Sequence, residues 1–247
     1  METNILTLTD SYKVSHHKQY PKGTTRVYSF FESRGGRYPE VVFFGLQYII
    51  KKYLIGKVVT EDKIKEAREL FSLHFGNANL FNEKGWRYIL KKHGGKLPIE
   101  IKAVAEGTRV SVSNVLVTVV NTDPRVPWLT NYIETLLVQL WYPTTVATQG
   151  YFMKQTLLKY LVETGTTEGI EFKLHDFGFR GSTSVESAGI GGAAHLLNFK
   201  GTDTIEAIRV ARHYYGEDMA GYSIPAAEHS TVTSWGKEGE VDSYRNM

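Results

Sequence analysis

The chain has 247 residues, 42% of them hydrophobic and 22% charged, a composition typical of a globular protein with one large domain or two small ones. Its 29 Lys and Arg against 26 Asp and Glu give a net charge of +3 and are scattered along the sequence, so nucleic-acid binding is not indicated. The absence of cysteine excludes disulfides, thiolate catalysis and cysteine-ligated zinc.

Membrane association is not indicated either. No run approaches the roughly 18 apolar residues needed to cross a bilayer. The first residues, Met-Glu-Thr-Asn-Ile-Leu, open with an acid and never reach the apolar region of a signal peptide. These features predict a soluble, cytoplasmic protein.

Hydrophobic periodicity predicts alternating strands and helices in the first part of the chain. Thr24–Glu32 is rich in β-branched and aromatic residues and predicts a strand, whereas Ser33–Glu40, with two glycines and a proline, predicts a loop. Apolar residues at helical spacing predict a helix over Phe43–Leu54, which Gly56 ends.

Two further helices are indicated by their ends. Thr60 followed by two acids predicts the start of the first, because a hydroxyl caps free N–H groups and acids suit the positive helix end. The expected buried face of this first helix is Ile64, Ala67, Leu70 and Phe71. Gly94-Gly95 is expected to end the second helix.

Two strands and two longer helices are predicted next. The strands, Ile99–Val104 and Val115–Val120, lie on either side of a turn at Glu106-Gly107. Residues 1–165 are therefore predicted to form an N-terminal α+β domain. The two helices are expected at Trp128–Leu140 and Ala147–Glu163, separated by Pro143.

After residue 165 the pattern changes to short strand, loop and long helix. A strand is expected at Glu171–His175, and helices at Ser184–Leu197 and Thr204–Tyr215. Such alternation is typical of β/α units, whose functional groups gather where strands end and helices begin. Residues 166–247 are predicted to start an irregular, incomplete β/α barrel, since eight units need about 250 residues. The fold class of the whole chain is therefore α/β.

An aromatic ring, a carboxylate and a guanidinium lie close together in His175-Asp176-Phe177-Gly178-Phe179-Arg180-Gly181. The glycines allow a sharp turn, so that Phe177 and Arg180 can face one space at the strand end. Such a pair suits a flat heteroaromatic ligand near phosphate, with Phe177 stacking and Arg180 donating paired hydrogen bonds. On the residues alone, a plain turn with Phe177 in the core and Arg180 on the surface remains the alternative.

Two further segments hold residues that suit chemistry. Gly201-Thr202-Asp203-Thr204 precedes a clear helix, and N-capping by Thr202 or Asp203 explains it on the residues alone. The segment Ser223–Ser230 sets Glu228 beside His229. Adjacent residues diverge in strands and helices, so this carboxylate need not touch the ring, although a neutral imidazole nitrogen is a competent nucleophile.

Metal and phosphate-loop motifs are weak. The remaining histidines have no supporting carboxylates at metal-ligand spacing, so no protein-held metal is predicted. Gly189-Ile190-Gly191-Gly192 lacks the Lys-Ser/Thr of a phosphate loop and is expected either to allow close helix packing or to interrupt a helix.

Eight segments, in this order, resemble the nicotinamide phosphoribosyltransferase family. They are Asp10-Ser11-Tyr12-Lys13, Tyr28-Ser29-Phe30-Phe31-Glu32, Asn82-Glu83-Lys84-Gly85-Trp86, Leu97 to Val104, Trp141-Tyr142-Pro143, His175 to Gly181, Asn198 to Thr204, and Gly221 to Ser230. The resemblance runs from near the first residue to about Lys237. Because family members are about twice this long, it covers only their N-terminal half.

The resemblance implies roles for the residues of the later segments. Phe177 and Arg180 would flank the nicotinamide ring, and Ser223 and Ile224 would also contact substrate. Asp203 would accept hydrogen bonds from the carboxamide and repel a carboxylate, favouring nicotinamide over nicotinate. His229, with Glu228, would be phosphorylated during ATP hydrolysis that drives the reaction.

The resemblance also implies a homodimer with shared active sites. Tyr12, together with Asp10, would reach the ring from the neighbouring subunit, and Arg34 would reach the pyrophosphate. Mg²⁺ would arrive with phosphoribosyl pyrophosphate or ATP, whose oxygens it neutralises.

The implied function is conversion of nicotinamide and phosphoribosyl pyrophosphate to nicotinamide mononucleotide and pyrophosphate, a pentosyl transfer in NAD salvage coupled to ATP. Two alternatives stay open. One is a nicotinate phosphoribosyltransferase. The other is a non-catalytic fragment or subunit that needs a second chain to supply the missing C-terminal half.

Overall fold

The computed structural model describes residues 3–247, so Met1 and Glu2, where the sequence argument about the N-terminus begins, lie outside the described residues. The strands are β1 (Tyr28–Glu32), β2 (Glu40–Val42), β3 (Ile99–Ala103), β4 (Arg109–Ser111), β5 (Val115–Asn121), β6 (His175–Asp176) and β7 (Gly201–Thr202). The helices are α1 (Leu46–Ile49), α2 (Glu61–Phe75), α3 (Glu83–His93), α4 (Leu129–Tyr132), α5 (Glu134–Val138), α6 (Trp141–Thr164), α7 (Val185–His195), α8 (Ile205–Val210), α9 (His229–Thr233) and α10 (Glu240–Asn246).

Shorter helical turns extend or link these elements. Helix α1 continues as a π-helical turn over Ile50–Leu54, and the two together span most of the helix expected at 43–54. Helix α8 continues in the same way over Ala211–Tyr215, which corresponds to the helix expected at 204–215. The 3₁₀ turns are Ile5–Thr7, Ser11–Lys18, Ile170–Phe172 and Phe179–Gly181.

Antiparallel strands form the first part of the fold. β5 lies between β1 and β3, and Tyr28 pairs with Val120 and Ile99 with Asn121. These three strands agree with the predicted ones. The pairing of β2 with β4 was not predicted, and Glu40 begins β2 instead of ending a loop. Each of these strands has three residues, too few for an alternating pattern to be visible in the sequence.

The predicted ends of α2 and α3 are confirmed, because they depend on local chemistry. The Thr60 hydroxyl accepts a hydrogen bond from the Lys63 N–H at 3.3 Å, and Gly94 ends α3 with φ +62°. The expected buried face of α2 is wrong at one position: Ile64, Ala67 and Phe71 are buried, whereas Leu70 is 50% exposed.

Pro143 does not separate two helices, contrary to the prediction. It lies in the first turn of the 24-residue helix α6. Backbone N–H groups there make no hydrogen bond within the helix, so a proline, which lacks this group, is tolerated. The helix expected at 128–140 is instead divided into the short helices α4 and α5. Helix α6 is tied to the β2 region through Thr148, whose hydroxyl accepts a hydrogen bond from the Val42 N–H at 2.8 Å.

The second part of the chain contains parallel pairing. β6 pairs in parallel with β7, and helix α7 connects them, which is a β/α arrangement. The strand predicted at 171–175 is displaced: Ile170–Phe172 forms a 3₁₀ turn and the strand is His175–Asp176. Mixed helices and strands with a parallel pair confirm the α/β fold class.

The glycines of α7 serve helix packing, as predicted. A Cβ atom at Gly192 would lie 2.5 Å from the Ala207 Cβ of α8, and one at Gly191 would lie 2.4 Å from the Tyr142 hydroxyl of α6. Because only glycine avoids these contacts, α7 can approach both neighbours closely.

One hydrophobic core joins the two parts of the chain. Phe43, Trp86 and Leu129 belong to the same buried cluster as Ile190 and Val210. The domain boundary between residues 165 and 166 stays a prediction. Within residues 3–247, no helix is both long and apolar enough to cross a membrane.

Candidate functional site

The segments that carry chemistry meet where short parallel strands end. In the β6–β7 pair, His175 is opposite Gly201 and Asp176 opposite Thr202, and a further parallel bridge joins Gly201 to Tyr222. Parallel strands end on the same edge of a sheet. Phe177 and Asp203 follow the two strands and Ser223 follows the bridge, so these three residues lie close together.

Asp203 is the best-connected of these residues. Its Oδ1 accepts a hydrogen bond from His175 Nε2 at 2.7 Å and another from the Ser223 hydroxyl. The Ser223 bond and then the His175 bond hold the pKa of the Asp203 carboxyl below its ordinary value. The carboxylate is thus ionised at neutral pH, and neither bond uses its Oδ2 oxygen.

Asp203 does not cap the following helix, and Thr202 does not act as the N-cap residue of α8. The N-cap position belongs to Thr204, and the Thr204 N–H donates to the Thr202 hydroxyl at 3.0 Å. Thr202 is buried and donates in turn to Asp176 Oδ2 at 3.2 Å. The Asp203 side chain is therefore left free for contacts at the strand ends.

A pocket of about 420 Å³ opens beside Asp203. It is lined by Phe177, Phe179, Arg180, Asp203 and Thr204. Phe177 is 66% exposed, so the alternative that placed its ring in the core is wrong. Arg180 is exposed as well, in the 3₁₀ turn after Phe177. The pocket combines an aromatic ring, a cation and an anion, which together suit a flat polar ligand.

Asp176 shapes the turn that presents Phe177. Its Oδ1 accepts a hydrogen bond from the Gly178 N–H at 2.8 Å, a local turn that aspartate commonly makes. Its backbone oxygen accepts from the Asp203 N–H at 2.9 Å, which ties the two strand ends together. The sequence motif predicts the Asp176 carboxylate beside Phe177 and Arg180 but does not predict its role in the turn, and it assigns nothing to His175. The Asp-x-Gly spacing was the available signal for the turn at Asp176. No local signal marks His175, because its partner Asp203 lies 28 residues away in the sequence.

Glu228 and His229 lie apart from this pocket. His229 begins the five-residue helix α9, and the Glu228 N–H donates to the Thr231 hydroxyl at 3.2 Å. Both side chains are exposed, and in the described part of the chain no hydrogen bond or ion pair joins them. The His229 imidazole is thus accessible, while the Glu228 carboxylate does not orient it.

Two other candidates of the same segment lie nearer the pocket. Ser223 lies next to Asp203, and its neighbour Ile224 is 76% exposed.

The N-terminal candidates lie outside the pocket lined by Phe177. Tyr12 is 57% exposed, whereas its neighbours Lys13 and Val14 take the buried positions of their 3₁₀ turn. The Asp10 carboxylate accepts a hydrogen bond from the Thr135 hydroxyl at 2.6 Å. Arg34 is exposed at the edge of a separate cleft of about 670 Å³.

Comparisons with known proteins agree with the resemblance seen in the sequence. Residues 4–101 match the family model of the nicotinamide phosphoribosyltransferase N-terminal domain, and residues 172–247 match the nicotinate phosphoribosyltransferase family. A nicotinamide phosphoribosyltransferase of Xanthomonas campestris pv. campestris is 52% identical over 99% of this chain and 52% of the relative. One from Acinetobacter baylyi is 36% identical over 99% of this chain and 51% of the relative.

The chain matches the N-terminal half of nicotinamide phosphoribosyltransferases. It spans about half the length of the curated relatives that it matches. Among solved structures, human nicotinic acid phosphoribosyltransferase aligns with a TM-score of 0.58 and 16% identity, covering 92% of this chain and 40% of that chain. That likeness concerns the fold alone, and it supports the α/β class.

Proposed function

We propose that this chain forms the N-terminal half of a nicotinamide phosphoribosyltransferase. The reaction joins the pyridine nitrogen of nicotinamide to the ribosyl C1 of phosphoribosyl pyrophosphate, giving nicotinamide mononucleotide and pyrophosphate. The observation that carries the proposal is the ionised Asp203 carboxylate at the pocket that Phe177 and Arg180 line. The 52% identity to a relative of that name adds support.

The pocket chemistry suits a carboxamide better than a carboxylate. The Asp203 Oδ2 oxygen accepts the amide N–H, while the Phe177 face stacks on the ring. Arg180 supplies positive charge for the phosphates, and Ser223 and Ile224 border the same end of the site. A nicotinate carboxylate would meet the charge of Asp203 and be repelled.

The remaining groups act from outside this pocket. In a cytoplasmic homodimer, Tyr12 and Asp10 of one subunit complete the ring site of the other, and Arg34 meets pyrophosphate. Exposure of Tyr12 and Arg34 is consistent with contacts to a second copy. Enclosing the substrates on both sides aligns the pyridine nitrogen with C1.

ATP coupling belongs to His229 in this proposal. Its exposed imidazole attacks the terminal phosphorus of ATP and forms a phosphohistidine, with ADP leaving. Glu228, the adjacent acid, assists this step. Mg²⁺ enters with the phosphates of ATP or phosphoribosyl pyrophosphate and neutralises their oxygens.

A nicotinate phosphoribosyltransferase is the second candidate. The family match over residues 172–247 and the fold of the human enzyme favour it. The ionised Asp203 argues against it, since the carboxylate of nicotinate would lie beside a negative charge. A non-catalytic subunit is the third reading, supported by the half-length match to the relatives.

Substitution of Asp203 in the full-length enzyme tests the proposal. Removing a charged hydrogen-bond partner costs roughly 1.5–3 kcal/mol, so Asp203→Ala is expected to lower kcat/KM for nicotinamide by about 10- to 150-fold. Asp203→Asn removes the charge and is expected to narrow the preference for nicotinamide over nicotinate. Asp218→Asn, an exposed aspartate, is the matched control. Unchanged nicotinamide turnover in Asp203→Ala would sink the assignment.

A further inference from the structure

His175 touches two groups of the candidate pocket although it does not line it. Its Nε2 lies 2.7 Å from Asp203 Oδ1, and its ring centroid lies 4.5 Å from that of Phe177. The side chain is only 26% exposed. A half-buried ring in contact with both the carboxylate and the aromatic face controls where each of them can lie.

We infer that His175 is a positioning residue that fixes the Asp203 carboxylate toward the substrate carboxamide, and thereby sets the preference for nicotinamide over nicotinate. This inference rests on the proposed function and deepens it. No role for His175 follows from the sequence motifs alone.

The direction of the hydrogen bond follows from the charge of its acceptor. An ionised carboxylate only accepts, so Nε2 of His175 carries the proton and donates. The Ser223 hydroxyl donates to the same oxygen, Oδ1. With both donors on Oδ1, rotation of the carboxylate breaks two hydrogen bonds, and Oδ2 stays directed away from the pair.

The backbone of β7 holds the other side of the imidazole ring. His175 and Gly201 are direct partners in the parallel pair, and a Cβ atom at Gly201 would lie only 2.7 Å from His175 Nδ1. Glycine at this position thus lets the ring approach the strand closely. The His175 ring thus lies close to the β7 backbone and to the Phe177 ring as well as to Asp203, and these neighbours limit the orientations it can take.

Steady-state kinetics of the full-length enzyme separates positioning from general structural damage. In His175→Ala, we expect the KM for nicotinamide to rise about tenfold, whereas kcat and the KM for phosphoribosyl pyrophosphate change less than about twofold. The ratio of kcat/KM for nicotinamide to that for nicotinate should fall by a similar factor. His175→Gln keeps a side-chain N–H donor and should restore most of both values.

A control and a second readout keep the outcomes separate. His74→Ala, at an exposed histidine of α2, should leave every constant unchanged. In the chain itself, ¹⁵N NMR of the His175 ring should show a protonated Nε2, and Asp203→Ala should shift that resonance.

Each outcome decides between the inference and the proposed function. If His175→Ala keeps the wild-type ratio of kcat/KM for nicotinamide to that for nicotinate, the inference is overturned and the proposed function still stands. The inference is also overturned if His175→Ala lowers kcat and raises both KM values by similar factors and if His175→Gln restores none of them. Such a pattern indicates a structural role for His175. A wild-type enzyme that makes no nicotinamide mononucleotide overturns the proposed function and the inference with it.

Discussion

At position 201, a single methyl group is enough to disturb the candidate site. The Cβ of Gly201→Ala would lie 2.7 Å from His175 Nδ1 and 3.3 Å from Cγ, so the ring or the strand must shift, and the His175–Asp203 hydrogen bond is expected to weaken. We expect a higher KM for nicotinamide in the full-length variant and a loss of roughly 1–3 kcal/mol in the free energy of unfolding, the usual cost of overpacking.

The control for this prediction is Gly165→Ala, where the added Cβ meets nothing within 4 Å. Chemical denaturation gives the free energy of unfolding, and steady-state kinetics gives the KM. If Gly201→Ala has the same nicotinamide KM as the Gly165 control, the ring is not held by β7.

Residue types revealed part of the site in advance, but their pairing was not visible. Phe177 and Arg180 line one pocket, as expected from their shared turn, whereas the presence of Asp203 in the same pocket was not predicted from its position in the sequence. The bond between His175 and Asp203 spans 28 residues and depends on the register of two-residue strands. Sequence periodicity carries no information about a register that so few residues define.

Helix α7 is joined to the first helix of the chain by a polar cluster around Glu186. The Glu186 carboxylate accepts hydrogen bonds from the hydroxyls of Tyr48 at 2.6 Å and Tyr53 at 2.5 Å, and Lys52 Nζ lies 2.9 Å away. Burial raises the pKa of the Glu186 carboxyl, but the three donors outweigh burial and hold the pKa below its ordinary value.

Glu186→Gln is therefore expected to destabilise the chain by about 1 kcal/mol at neutral pH, because the charge-assisted bonds become weaker neutral ones. A carboxyl with a lowered folded-state pKa adds stability above its unfolded-state pKa, and this stability is lost as the pH falls through the folded-state value. The difference from wild type should thus begin to shrink as the pH falls through the ordinary glutamate pKa of about 4.3, and should disappear once the pH is below the lowered folded-state pKa of Glu186.

Urea unfolding at several pH values measures this difference. Glu163→Gln, an exposed glutamate near the end of α6, should change stability by less than about 0.5 kcal/mol at every pH. A Glu186→Gln deficit that stays constant down to pH 3 would contradict the assignment to the carboxylate charge.

Elements with local start and stop signals were predictable, and elements defined by distant contacts were not. Thr60 and Gly94 mark helix ends through their own side chain or backbone freedom. Pro143 is ambiguous in sequence, since proline suits both a break and a first turn, and the packing of α6 decides. Leu70 is 50% exposed although its spacing matches the buried face, since spacing alone does not tell how wide a face the neighbouring elements cover.

At the scale of the whole molecule, the last part of the chain carries large apolar side chains on its surface. They are Tyr222, Ile224, Trp235, Val241 and Tyr244. Exposed apolar groups gathered in one segment are typical of a surface that another polypeptide segment covers. The relatives are about twice as long as this chain, so their second half is the natural candidate for that cover.

We therefore expect that adding the C-terminal half of a curated relative in trans produces nicotinamide mononucleotide, and that the chain alone produces far less. Tyr244→Ser should weaken this complementation, because it removes apolar surface from the covered segment. Tyr160→Ser, on α6, should leave complementation unchanged. Tyr244 is 57% exposed and Tyr160 is 55% exposed, so the two substitutions remove similar amounts of exposed apolar surface. Product formation over a titration of the second half measures the effect. Equal loss in both variants, or full activity of the chain by itself, would place the completing surface elsewhere and leave the exposed segment without a partner of this kind.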